Sequence, residues 1–240
     1  YDFRPSYLHI SDIRKQKPDV AILALTATAT PEVIDDIQSR LGFKERNVFR
    51  MSFERKNLTY VVRLTSDKDQ QLIHILNSVK GCAIVYVRSR KRTKEIAQML
   101  KDNHIEATYY HAGLEHYTKD LRQKEWQNDE TRVMVATNAF GMGIDKPNVR
   151  IVVHIDCPDS IEAYFQEAGR AGRDGKRAYA VLLYNEGDSR KLHKRITDNF
   201  PEKEYIRKVY ESLAYFYQIG VGSGIGHTFA FDLGKFCHNF

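Results

Sequence analysis

The chain has 240 residues, enough for one large domain, or for one domain with an appendage, around a buried core. Hydrophobic residues make up 42% and charged residues 28%, an ordinary globular balance; no apolar stretch, Val20 to Leu25 included, approaches the ~18 residues of a membrane span, so no membrane partner is expected. With 37 Lys+Arg against 31 Asp+Glu the formal net charge is +6, which favours anionic partners, nucleic acid first.

In chain order, residues 21–25 read as a strand. Thr30-Pro31-Glu32 then opens a helix: Thr30 caps, Pro31 suits the first turn and Glu32 answers the dipole. Ile34, Ile37 and Leu41 share one face of it, and Gly42 is the stop. Further strands are predicted at 58–64, 82–87, 106–110, 133–137, 149–155 and 178–184. Helices alternate with them at 68–80, 91–102, 119–127 and 160–167.

The strands are continuous Val/Ile runs, the pattern of a parallel sheet buried on both faces. The alternation predicts an α/β domain with a doubly wound parallel sheet over residues 51–200. Ligands of such folds sit beyond the carboxyl ends of the strands, which singles out loops 88–90, 111–114, 138–145 and 169–175. After Pro201, the residues Tyr205, Ile206, Val209, Leu213, Phe216 and Tyr217 make an aromatic helix ending at Gly220, read as a packing face. Glycines 220, 222, 224 and 226 follow; with no strand before them they read as a connector rather than a phosphate loop. Cys82, Cys157 and Cys237 are scattered, so neither a disulfide framework nor a metal site is expected, and a reducing compartment is.

The segment Gln166-Glu167-Ala168-Gly169-Arg170-Ala171-Gly172-Arg173-Asp174-Gly175 sets two arginines three residues apart among three glycines. Glycines let a backbone approach a ligand closely, and Arg forks match phosphate oxygens. A helix end answering its own dipole explains one arginine but not this packing. The segment resembles motif VI of superfamily 2 helicases in its RecQ form. That resemblance implies a RecA-like fold in which Arg173 and Arg170 act as arginine fingers on the γ-phosphate of ATP, worth ~10³–10⁵ in rate, with Gln166 beside the nucleotide.

Upstream, Val135-Ala136-Thr137-Asn138-Ala139-Phe140-Gly141-Met142-Gly143-Ile144-Asp145-Lys146-Pro147 is similar to motif V. Thr137 would contact a DNA phosphate and Asp145 would face the nucleotide, with Gly141 and Gly143 letting the loop respond to both. His111-Ala112-Gly113-Leu114 resembles the turn that meets the nucleic-acid backbone, through His111 and Gly113. Ser89-Arg90 resembles motif IV; Arg88 departs from the small polar residue usual there. Lys91, Arg92 and Lys94 read equally well as a solvated helix face. Ala24-Leu25-Thr26-Ala27-Thr28-Ala29-Thr30 resembles motif III, and Ser52-Phe53-Glu54-Arg55-Lys56-Asn57-Leu58 the lead-in to the second lobe. Asp2-Phe3-Arg4-Pro5 resembles the end of an aromatic-rich loop, where Phe3 would stack on a base and Arg4 would pair with phosphate or with a neighbouring lobe.

Neither a Gly-Lys-Ser/Thr loop nor Asp-Glu-Ala-His occurs in the sequence. The family carries both ahead of the Asp-Phe-Arg-Pro segment. Residues 1–50 are therefore expected to be the tail of a first RecA-like lobe, 51–200 the second lobe, and 201–240 the start of a helical accessory region. Both chain ends are expected to be internal to a longer polypeptide, whose first lobe would hold most of ATP and Mg²⁺, leaving this chain alone inactive. The implied function is ATP-dependent 3′→5′ unwinding of single-stranded and forked DNA in repair and recombination. It would act in the cytoplasm at the nucleoid if bacterial, and in the nucleus if eukaryotic. A non-catalytic nucleic-acid-binding module and an RNA-directed helicase are the alternatives.

Overall fold

The computed structural model describes residues 9–26, 29–141, 143–220 and 222–240. They fall into two compact units, one ending at Asn185 and the other running from Glu186 to Phe240. In the first, β1 (Leu58–Leu64), β2 (Cys82–Tyr86), β3 (Ala107–Tyr110), β4 (Val133–Ala136), β5 (Val149–His154) and β6 (Ala178–Tyr184) form one sheet in the order β1-β6-β5-β2-β4-β3. Every pairing is parallel. After a short helical stretch, Ile10–Asp12 and Ile13–Gln16, the longer helices of this unit are α1 (Pro31–Arg40), α2 (Lys68–Ser78), α3 (Arg90–Asp102), α4 (His116–Gln127) and α5 (Ile161–Ala168).

All five residues of β2 are buried, which is why that strand is an unbroken apolar run. Ala83, Val85 and Val87 face one core with Leu72, Leu76, Ile96 and Leu100 of α2 and α3. Cys82, Ile84 and Tyr86 face a second core with Trp126 of α4 and Ala168 of α5. Each fully buried Leu, Ile or Val contributes ~1.5–3 kcal/mol. Two such cores, one on each face, make the doubly wound arrangement.

The β4–β5 connection, residues 137–148, contains no helix among its described residues. Because the strands are parallel, it must travel from the carboxyl end of β4 to the amino end of β5. It crosses the second face, where the Phe140 ring packs 4.9 Å from Tyr110 and 5.3 Å from Trp126. Ile144 is buried beside it, and Tyr86 Oη donates to Phe140 O at 3.1 Å.

Two expectations need correction. Residues 21–25 form no strand, and Leu25 is 85% exposed. A strand needs a ladder partner, and no strand of the sheet pairs with this run. Loop 169–175 is not at the carboxyl ends of the strands. Gly172 N donates to Val149 O (2.9 Å) and Asp174 N to Pro147 O (3.2 Å), which places the loop at the amino end of β5.

The second unit holds α6 (Glu186–Asn199), α7 (Lys203–Phe216) and α8 (Leu233–Asn239). Neither α6 nor α8 was anticipated. The aromatic face of α7 packs at its carboxyl end: Phe216 lies 5.6 Å from Phe236, and Tyr217 stacks on Phe229 at 4.7 Å. Tyr205 and Ile206 are exposed. Between α7 and α8, Gly222, Gly224 and Gly226 take positive φ and turn the chain. No helix among the described residues is long and apolar enough to cross a membrane.

Candidate functional site

A cleft of about 1580 Å³ opens between the 14–55 segment and the loops 141–145 and 165–173. Gln166, Gly141, Gly143, Asp145, Arg170 and Arg173 all line it, together with Ala24, Leu25, Thr26 and Ala29 of the Thr/Ala segment. Thus two loops separated in sequence meet on one wall. Arg173 Nη1 donates to Ile144 O (3.1 Å) and to Asp145 Oδ1 (2.9 Å). Arg170 Nη1 donates to Gly141 O.

Gly141 is required by this contact. Its φ is +123°, and an added Cβ would stand 2.3 Å from Arg170 Cζ. Arg170 Nε is buried with no partner. Two arginines beside a wall without a side chain fit an anionic ligand.

Behind the wall, buried His154 and Glu167 join Nε2 to Oε2 at 2.9 Å and anchor the last turn of α5. Tyr86 stacks on His154 at 5.2 Å, and burial pushes its hydroxyl well above the ordinary tyrosine range. Below, Arg150 bonds Asp174 at 2.6 Å and holds that carboxyl under its usual value.

The second set of expected residues gathers at the carboxyl ends of the neighbouring strands β2, β4 and β3. Ser89 caps α3, its Oγ accepting from Arg92 N at 3.4 Å. Arg90 lies against Gly113, where an added Cβ would be 2.8 Å from Nη1. Thr137 N donates to Tyr110 O at 3.2 Å, next to His111. His111 is 5% exposed, stacks on Tyr109 at 5.8 Å, and has no partner at either ring nitrogen. Burial first, then Lys94, Arg90 and Arg122, lower its pKa.

Sequence reasoning missed Arg122, whose guanidinium sits 3.8 Å over the Tyr109 ring and donates to Tyr109 O at 2.9 Å. Lys94 leans over the same ring at 5.6 Å. Lys91 and Arg92 turn instead into helix-face ion pairs, with Glu95 and with Asp69 and Glu95. Arg88 pairs with Asp159 at 2.6 Å. Also missed were Arg55 and Asn57, which bond the backbone of loop 169–175.

None of Ser89, Arg90, His111, Gly113 or Thr137 lines the cleft. The helix-free connection 137–148 joins the two sets, with Thr137 at one end and Gly141, Gly143 and Asp145 along it. Phe3 and Arg4 lie outside the described residues, as do Ala27 and Thr28. Among the described residues no group of three or more His, Cys, Asp or Glu side chains is arranged to hold a metal ion.

Residues 67–175 match the helicase conserved C-terminal domain. Over 220 residues the chain is 41% identical to ATP-dependent DNA helicase RecQ of Bacillus subtilis, covering 90% of this chain and 37% of the relative. It is 37% identical over 225 residues to ATP-dependent helicase SGS1 of Saccharomyces cerevisiae, covering 90% of this chain and 15% of that one. The chain therefore spans well under half the length of these relatives. Among solved structures, Saccharomyces cerevisiae Dbp5 bound to RNA and ADP BeF3 shares the fold, with a TM-score of 0.64 at 20% identity, over 83% of this chain and 54% of that one.

Proposed function

For a chain that belongs to the RecQ family of superfamily 2 helicases, we propose that the protein carrying it couples ATP hydrolysis to 3′→5′ unwinding of single-stranded and forked DNA in repair and recombination. The observation that best supports this reading is the meeting of Arg170, Arg173, Gly141 and Asp145 on one cleft wall. Hydrolysis of the terminal phosphate of ATP supplies the free energy for unwinding.

In this reading Arg173 and Arg170 offer their guanidinium donors to the charge that develops on the transferred phosphoryl group. Arg173 must first exchange Asp145 for phosphate, and their ion pair is open to solvent, with side chains 37% and 83% exposed. Such a pair holds with at most ~1 kcal/mol, so the exchange is easy. Gln166 stands on the same wall. The phosphate-cradling loop and the acidic groups for Mg²⁺ are assigned to a first lobe elsewhere in the polypeptide, so this chain alone does not turn ATP over.

At the carboxyl ends of β2, β4 and β3, the residues Ser89, Arg90, His111, Gly113 and Thr137 grip the DNA backbone rather than base edges. Binding is accordingly salt-sensitive and weakly selective for sequence. The 137–148 connection carries Thr137 from the DNA set and Gly141 to Asp145 from the nucleotide set, so movement at one end reaches the other. The protein works wherever its DNA lies, at the nucleoid or in the nucleus. A DNA-directed reading ranks above an RNA-directed one because relatives at 37–43% identity include ATP-dependent DNA helicases, whereas the RNA-bound structure is 20% identical.

The test is Arg173→Ala in the full-length protein, with DNA-stimulated ATP turnover and ATP binding measured side by side. Turnover should fall by about a hundredfold or more while ATP still binds. Unchanged turnover would reject the arginine-finger role and bring a non-catalytic binding module to the front.

A further inference from the structure

We infer that Arg55, with Asn57 beside it, is a positioning residue that sets the aim of Arg170 and Arg173; the inference rests on the arginine-finger reading of that loop. Arg55 Nη2 donates to Ala171 O (3.0 Å) and Gly172 O (2.8 Å), and Nη1 reaches Gly169 O (3.5 Å). Its Nε contacts Asn57 Oδ1 at 3.4 Å. Asn57 Nδ2 in turn donates to Gly172 O (2.6 Å) and Lys176 O (2.9 Å).

The choice of carbonyls is what matters. Gly169 C=O belongs to the peptide that leads into Arg170, and Gly172 C=O to the peptide that leads into Arg173. Holding those two peptide planes fixes the direction in which each arginine leaves the backbone. Three carbonyls just beyond the end of α5 also form a locally negative patch that a guanidinium answers well.

Gly172 completes the clamp. Its φ is +64°, and an added Cβ would lie 2.6 Å from Asn57 Nδ2. All three guanidinium nitrogens of Arg55 are engaged by acceptors of the protein itself, although Arg55 lines the cleft. That pattern marks a support for the loop rather than a ligand-binding arginine. Misplacing a catalytic group by about 1 Å costs on the order of a hundredfold in rate, so a remote support can control turnover.

The experiment compares Arg55→Ala, Arg55→Lys, Arg173→Ala and the double variant Arg55→Ala/Arg173→Ala in the full-length protein. It measures DNA-stimulated ATP turnover across ATP concentrations, together with thermal unfolding. Arg55→Ala should lower kcat by about tenfold or more while KM stays within about twofold. Arg55→Lys should recover part of the loss, since an ammonium can bond some of the carbonyls but cannot span all three. The double variant should be slowed by clearly less than the product of the two single effects, because Arg55 acts through the loop that carries Arg173, the remaining loss being that of a misaimed Arg170.

A double variant slowed by the product of the two single effects would overturn the inference. So would a folded Arg55→Ala protein with unchanged kcat. If Arg55→Ala does not fold, Arg55→Lys carries the same comparison with and without Arg173→Ala. If Arg173→Ala itself leaves turnover intact, the finger reading fails, and that failure is distinct from a failure of Arg55 alone.

Discussion

Replacing Gly141 by alanine tests the geometry of the cleft wall most directly. The new Cβ would stand 2.3 Å from Arg170 Cζ, 2.4 Å from Nε and 2.6 Å from Nη2, at a φ of +123°. The backbone strain at such a φ costs about 1–3 kcal/mol. The guanidinium must also leave, giving up its bond to Gly141 O, which adds about 0.5–1.5 kcal/mol. A total of roughly 2–4 kcal/mol lowers the unfolding midpoint of a domain this size by roughly 4–16 °C. Gly143 is the internal reference: its φ is +75° and nothing lies within 4 Å of its added Cβ, so Gly143→Ala meets only the backbone cost. Thermal unfolding of both variants, each with and without Arg170→Ala, separates the two contributions. In the Arg170→Ala background the extra loss at position 141 should disappear. Equal midpoints for Gly141→Ala and Gly143→Ala, unrelieved by removing Arg170, would refute the packing of Arg170 against this loop.

Other positions offer sharper or cheaper tests. Gly172→Ala brings a Cβ to 2.8 Å from Ala178 Cβ and 2.9 Å from Lys176 O, neither of which can yield. It should cost about 2 kcal/mol more than Gly175→Ala, where nothing lies within 4 Å, and equal melting points would count against the tight turn. His111 has its pKa lowered from 6.5 in the folded protein, so the unfolded chain binds a proton that the folded one refuses. Its contribution to stability is full above pH 6.5 and is lost as pH falls toward the folded value; urea unfolding at pH 5 and 7 should show that slope, and His111→Gln should flatten it. Arg90→Ala should reduce the salt dependence of single-strand DNA binding by about 0.7 in log–log slope, and an unchanged slope would remove Arg90 from the phosphate contacts.

How much of this was legible in the sequence depends on the range of the interaction. Local signals were readable because their physics is local. Thr30 caps its helix, accepting from Val33 N, and the five apolar residues of β2 announced burial on both faces. Arg170 and Arg173 stood out for the same reason, lying three residues apart among glycines. Helix α6 went unread because Glu186–Asn199 is almost wholly polar, with only Leu192 and Ile196, four residues apart, to mark a face. Residues 21–25 failed in the opposite way: apolarity was visible, but a strand is a property of a pair, and the partner was not.

The misplaced loop and the missed clamp share one cause, which is sheet order. The segment 52–58 is marked only by its resemblance to a lobe lead-in, and nothing in it singles out Arg55 or Asn57 as partners of the arginine loop. Their partners lie 114 to 119 positions away. They meet because β1 pairs with β6 in the register Leu58 to Ala178, while Ala178 N bonds Asn57 O just before both strands begin. Strand adjacency therefore builds the support at the amino ends of the sheet, where reading each βα unit separately puts no ligand site at all. The residues expected at DNA follow the carboxyl-end rule and the arginine pair does not, and the 137–148 connection, without a helix among its described residues, runs from one set to the other. If Arg170 and Arg173 are aimed by β1–β6 pairing, a substitution that loosens β1 should slow turnover without touching the cleft. Leu58→Ala is such a change: the side chain is buried in the second core, and its loss should cost about 2–5 kcal/mol. Turnover measured well below the lowered melting point should fall in parallel with Arg55→Ala; full activity there would show that the loop keeps its aim without the strand behind it.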